Sequence, residues 1–102
     1  MSAATLVVTA TPNPAEMASL QAYLQGVMPL LIGAGGKLIK RLQVSQVVHG
    51  NPSGMAMVMD FESQEAIAGI FETEEYKALV PARDKGFKEM NILITQELQI
   101  PS

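Results

Sequence analysis

The 102-residue sequence predicts one α+β domain with the element order β-α-β-β-α-β. Three observations carry this. Four short segments are rich in β-branched and apolar residues at a period of two. Between the first and second of them, and between the third and fourth, apolar residues recur at spacings of three and four. The second and third strands are separated only by Gly50-Asn51-Pro52-Ser53-Gly54, a turn composition.

The first strand spans residues 5–11. Asn13-Pro14-Ala15-Glu16 then opens a helix: Asn13 caps free N–H groups, Pro14 suits the first helical position and Glu16 stands at the capping-box position. Met17, Leu20, Leu24, Val27 and Leu31 form its apolar stripe. Pro29 is expected to bend it and Gly33, Gly35 and Gly36 to end it. A long second strand is predicted over residues 37–49, with Leu38, Leu42, Val44 and Val48 on one face. Ile39, Arg41, Val47 and His49 share the other face. The third strand, residues 55–61, places Met55, Met57, Met59 and Phe61 opposite Ala56, Val58 and Asp60. Ser63 caps a second helix burying Ala66, Ile67, Ile70 and Phe71. Thr73 caps a short third one, stopped by Pro81. Residues 82–87 read as a connector and residues 88–98 as the last strand, with Met90, Ile92 and Ile94 alternating against Asn91, Leu93 and Thr95.

This order is the ferredoxin-like, split βαβ arrangement, with both helices on one face of an antiparallel four-stranded sheet. The other face would hold Val7, Thr9, Ile39, Arg41, Val47, Val58, Asp60, Asn91, Leu93 and Thr95. It is too apolar to stand bare in water and too polar for a plain core. A second copy of the sheet laid upon it satisfies both facts, so a homodimer closed as an α/β barrel is expected.

Composition narrows the function classes. The net charge is −3, which disfavours nucleic acid as a partner, as does the lack of strand aromatics available for stacking on bases. The first fifty residues carry +2 and the rest −5, with Glu62, Glu65, Glu72, Glu74 and Glu75 forming an acidic run that reads as a solvated helix face. There is no cysteine, so disulfides and thiolate chemistry are excluded and a reducing cytoplasm is the expected compartment. No basic residue precedes Lys37, which is unlike a secretory signal. The twenty uncharged residues from Met17 to Gly36 are broken by Ser19, Gln21, Gln25 and Pro29, so they read as an amphipathic helix and not a membrane span.

Five residues are candidates for a ligand site. Arg41 could clamp an anion through paired hydrogen bonds, or pair with Asp60 on the neighbouring strand. His49 is the single histidine, and imidazole suits general acid–base work near neutrality; the alternative is a turn or interface residue. Arg83 could reach over a pocket mouth or bind the acidic run. Asn91 could orient a ligand or satisfy backbone groups. One histidine with scattered carboxylates lacks any metal-ligand spacing, and no cofactor motif is present. The methionine stripe reads as core, and Tyr23 and Tyr76 as core-edge residues with hydroxyls in water.

The run Gly35-Gly36-Lys37-Leu38-Ile39-Lys40-Arg41, the turn His49-Gly50-Asn51-Pro52, Phe61-Glu62-Ser63 with Glu75-Tyr76, and Arg83 with Asn91 resemble the bacterial domain-of-unknown-function family numbered 1330. The resemblance covers nearly the whole chain. It implies a protomer of the dimeric α/β-barrel superfamily, whose relatives include small monooxygenases, muconolactone isomerases and haem-degrading enzymes. Many members carry an acidic residue where His49 stands, so His49 departs from the pattern. The functional expectation is a small polar or anionic organic ligand held between sheet faces by Arg41, Asp60, Arg83 and Asn91, with His49 near the rim. Proton transfer or cofactor-free oxygenation is the chemistry the resemblance implies. The alternative is a non-catalytic ligand-binding or regulatory module.

Overall fold

A computed structural model describes residues 3–98. Strand β1 (Ala4–Pro12) leads through a single 3-10 turn (Pro14–Glu16) into α1 (Met17–Gly33). Strands β2 (Lys37–Gln43) and β3 (Met55–Phe61) follow, then α2 (Gln64–Phe71), α3 (Glu74–Lys77), α4 (Val80–Gly86) and β4 (Phe87–Gln96). The sheet has the order β2-β3-β1-β4, and every neighbouring pair is antiparallel. This is the expected ferredoxin-like α+β fold.

The predicted caps by Asn13, Ser63 and Thr73 form, but the capping-box bond of Glu16 does not, because Asn13 N donates to the Gly86 carbonyl instead. Asn13 Oδ1 accepts from Ala15 N at 3.1 Å, Ser63 Oγ from Ala66 N at 3.1 Å, and Thr73 Oγ1 from Tyr76 N at 3.1 Å. Each satisfies a donor that the first helical turn leaves free. Helix α1 runs through Pro29 and closes at the glycines. Gly35, with φ +95°, donates to the Ile32 carbonyl and Gly36 to the Leu31 carbonyl, the double bond pattern of a left-handed helix stop.

The register sets the faces. Leu6 stands opposite Met59 and Ile94, and Val8 opposite Met57 and Ile92. Except for Ile94, which is 41% exposed, these side chains meet Leu20, Val27 and Leu31 of α1 and Ile67 and Ile70 of α2 in the core; Leu6, Met59 and Ile67 are wholly buried. Met55 and Met57 pack against that core, as the methionine stripe requires. The opposite, open face carries Thr5, Val7 and Thr9 of β1 with Asp60, Val58 and Ala56 of β3 and Thr95, Leu93 and Asn91 of β4.

Three expectations change. Strand β2 ends at Gln43 and not at residue 49; after one more ladder bond, Val44 N to Gly54 O at 2.8 Å, the chain leaves the sheet, and His49 lies on an exposed loop. Pro81 does not stop a helix but begins one. It occupies the first turn of α4, where its missing N–H costs nothing and its fixed φ is already helical. Residues 82–86 are therefore helical, not a connector. The third change is a bulge in β2. Leu38 pairs with Met59, but Lys40 pairs with Val58, so Ile39 is an extra residue. Beyond it the parity reverses: Arg41 stands opposite Met57 on the helix side, and Leu42 opposite Ala56 on the open side.

The helical layer is drawn together by two close contacts. Gly86 at the end of α4 lies where a Cβ would fall 2.6 Å from the backbone N and Cα of Leu20, and a Cβ on Gly26 would meet the Leu79 side chain at 2.5 Å. Asn13 N also donates to the Gly86 carbonyl at 2.9 Å, tying the start of α1 to the end of α4. Gly86→Ala is expected to cost about 1–3 kcal/mol, because rigid backbone must yield. Gly33→Ala, with nothing near the added methyl, should be neutral or stabilising by up to about 1 kcal/mol. Urea denaturation midpoints of the two variants check the packing.

Candidate functional site

The five candidate residues do not converge. Arg41 is exposed on the edge strand and on the opposite parity from Asp60, so the expected Arg41–Asp60 pair does not form; the bulge at Ile39 is the reason. Asp60 instead accepts from Thr5 Oγ1 at 2.8 Å, and Lys37 is its cross-strand neighbour on β2. Asn91 is on the open face, where its Nδ2 donates to Thr9 Oγ1 at 3.1 Å. His49 stands apart on its loop. Arg83 is on the other side of the sheet, in α4.

What the fold does bring together is Arg83 with the two tyrosines. Tyr76, in α3, is 3% exposed and Tyr23, in α1, is 4% exposed, and their hydroxyls lie 2.9 Å apart. Arg83 Nη1 donates to the Tyr76 hydroxyl at 3.1 Å, and Arg83 Nε donates to Asp84 Oδ1 at 3.1 Å. Neither tyrosine hydroxyl is in water, contrary to the expectation from sequence, and Arg83 does not pair with Glu72, Glu74 or Glu75. The rings pack edge to face: Tyr23 with Tyr76 at 6.1 Å, Tyr23 with Phe87 at 5.8 Å and Phe71 with Tyr76 at 4.7 Å between centroids. The sequence signal for this cluster was Tyr23 itself, which continues the α1 stripe three residues after Leu20.

Next to the cluster lies a cavity of about 60 Å³ between α1 and the sheet. Tyr23, Phe71 and Phe87 form part of its wall, together with Met28, Met57 and Met90. Its lining is almost wholly apolar, and flexible methionine side chains let such a space reshape around an occupant. Phe71 and Ile92 are shared with a surface depression that contains Tyr76 and Arg83, so the guanidinium stands at the outer side of the cavity wall. The side chain of Arg83 is 27% exposed.

Burial shapes the electrostatics. Desolvation, and then the hydrogen bond and charge of Tyr76, push the Tyr23 hydroxyl far above the usual tyrosine range, with a weaker opposing pull from Arg83. Tyr23 therefore stays protonated and does not serve as a base. Burial works against the Arg83 charge, but hydrogen bonds to Tyr76 and Asp84 outweigh it and raise its affinity for the proton. Among the described residues no group of three His, Cys, Asp or Glu could hold a metal ion, and no helix is long and apolar enough to cross a membrane.

In the unfolded chain a tyrosine ionises near pH 10. Above that the unfolded state has released a proton that the folded state keeps, so stability falls as pH rises. Tyr23→Phe should lack this component. Denaturation midpoints at pH 8 and above pH 10 should fall further for the parent chain than for the variant.

Similar structures share this architecture. RPA0582, a protein of unknown function from Rhodopseudomonas palustris, superposes with a TM-score of 0.77 at 14% identity, covering 97% of this chain and 85% of that one. A DABB family protein with a ferredoxin-like fold from Mesorhizobium loti gives 0.69 at 14% identity, covering 97% and 100%. A candidate antibiotic biosynthesis monooxygenase from Bordetella bronchiseptica gives 0.67 at 14% identity, covering 97% and 100%. At these identities the likeness is one of fold. No curated protein matches the chain. The profile of DUF1330, a domain of unknown function, matches residues 5–98, and the chain belongs to that family.

Proposed function

We propose that the chain binds a small, largely apolar organic molecule in the cavity between α1 and the sheet, and that it does so as a homodimer joined through the open sheet faces. The observation that carries the ligand reading is the apolar cavity with the buried Tyr23–Tyr76–Arg83 chain at its edge. A few convergent polar groups on an apolar wall are the usual composition of a small-molecule site. On this reading the ligand sits on the helix side of each protomer and not between the sheets, because Arg83 is on that side and neither Arg41 nor His49 lines the cavity.

The chemistry that suits this site is proton transfer or cofactor-free oxygenation. Two observations support it. Arg83 and the tyrosines are donors, fit to stabilise negative charge developing on a substrate oxygen in a site shielded from water. The fold likeness to the candidate monooxygenase points the same way. Binding without turnover is the alternative, and assay of the purified protein for both oxygen consumption and solvent-deuterium incorporation into the bound ligand separates the two.

The dimer reading rests on the open face. Val7, Val58 and Leu93 form an apolar row across three strands, and Leu93 is 48% exposed. Flanking rows carry Thr5, Asp60 and Thr95 on one side and Thr9 and Asn91 on the other. Such a face is complementary to itself about a two-fold axis through the apolar row. Light scattering should give twice the 10.9 kDa chain mass, and Val58→Asp should reduce it to one chain while the far-ultraviolet spectrum is kept. A Val58→Asp variant that stays dimeric overturns the face assignment.

The cavity is tested with methyl-labelled methionine and toluene as the probe. Resonances of Met28, Met55, Met57 and Met90, which line the cavity, should move on titration, and that of Met17, which does not, should stay. Four unmoved cavity methyls sink the ligand reading.

A further inference from the structure

The hydrogen-bond count of the tyrosine cluster does not close, and the remainder says what the ligand carries. Arg83 is a donor only, and it gives one N–H to the Tyr76 oxygen. The two tyrosines have two hydroxyl protons and one contact between them, which uses one proton. If Tyr76 donates to Tyr23, the proton of Tyr23 is left over. If Tyr23 donates to Tyr76, the proton of Tyr76 is left over. In neither arrangement does a hydrogen bond among the described residues take the second proton. Both hydroxyls belong to residues more than nine-tenths buried, where a donor without an acceptor is unfavourable. Tyr23 lies on the cavity wall, and Tyr76 in the depression that shares Phe71 with it.

We infer that the natural ligand is an uncharged apolar molecule bearing one carbonyl-type oxygen, and that the Tyr23–Tyr76 pair gives its spare proton to that oxygen. The inference rests on the cavity reading above and adds the ligand's chemical class. A hydrocarbon would fill the space and leave the donor unmatched. A carboxylate would bring a full charge beside an almost wholly apolar wall, where burial opposes it. A ketone, quinone or ester matches both the wall and the donor. The Tyr23 hydroxyl is kept protonated by the same burial that makes a spare proton in the pair costly.

The test uses two probes of nearly equal shape, cyclohexanone and methylenecyclohexane, with the full chain and with Tyr23→Phe/Tyr76→Phe. The double variant is needed because either single change frees the other hydroxyl to donate. It keeps both rings, and removing both members of a hydrogen-bonded pair is gentler than stranding one. Binding is read from the methionine methyl shifts. The preference for the ketone over the hydrocarbon, read as the ratio of the two affinities, should fall about tenfold in the double variant. A second readout needs no variant. The carbonyl carbon of bound, labelled cyclohexanone should keep the downfield shift of a hydrogen-bonded ketone in the parent chain. If it moves upfield there, or if the double variant keeps the ketone preference, the donor assignment is overturned while the cavity stands. If neither probe moves any cavity methyl, the cavity reading falls and takes this inference with it.

Discussion

The contact between α1 and α4 is the constraint on which the rest of the helical layer depends. Gly86 and Gly26 remove the two side chains that would hold these helices apart, and the Asn13–Gly86 backbone bond sets their relative height. Tyr23 rides on α1 and Arg83 on α4, so their approach to Tyr76 of α3 follows from that contact. A larger residue at position 86 would push against backbone, which has no rotamer to change. The tyrosine–arginine cluster is thus a consequence of helix packing, and its hydrogen bonds are made by groups whose positions are already decided.

The sheet separates two kinds of surface. On the helix side, Leu6, Met59 and Ile67 exclude water completely, and the methionines around them leave a small apolar space in place of a tight fit. On the open side, the polar side chains of β1, β3 and β4 find short-range partners: Thr5 with Asp60, Thr95 with the Thr5 carbonyl, Asn91 with Thr9. Those local bonds lower the cost of covering the face, because its polar groups are already paired before a second sheet arrives. The two sides thus differ in chemistry, as the proposed ligand on one and the proposed partner chain on the other require.

Strand β2 is the edge where the sheet meets solvent. It carries Lys37, Lys40 and Arg41, all exposed, and the bulge at Ile39 interrupts its ladder. Charge and a bulge are both means by which an edge strand is kept from pairing with stray strands. The same bulge turns Arg41 away from Asp60. A residue that looks like half of a site in the sequence is, in the fold, part of a guarded edge.

What the sequence by itself determined is what depends on neighbours along the chain. The caps by Asn13, Ser63 and Thr73 reach two or three residues, and the β-α-β-β-α-β order follows from apolar periods of two and about 3.6 with glycine and proline between them. The methionine stripe of β3 was legible for the same reason. Tertiary structure decided the rest. One extra residue in β2 reverses every later side chain, and no local pattern marks where a bulge will fall. Pro81 can follow one helix or begin another, and the packing of α4 on α1 chose the second. Tyr23, Tyr76 and Arg83 belong to three separate helices, and the two tyrosines are 53 positions apart in the chain. A cluster of that kind has no sequence period, because distance along the chain carries no information about which helix faces meet.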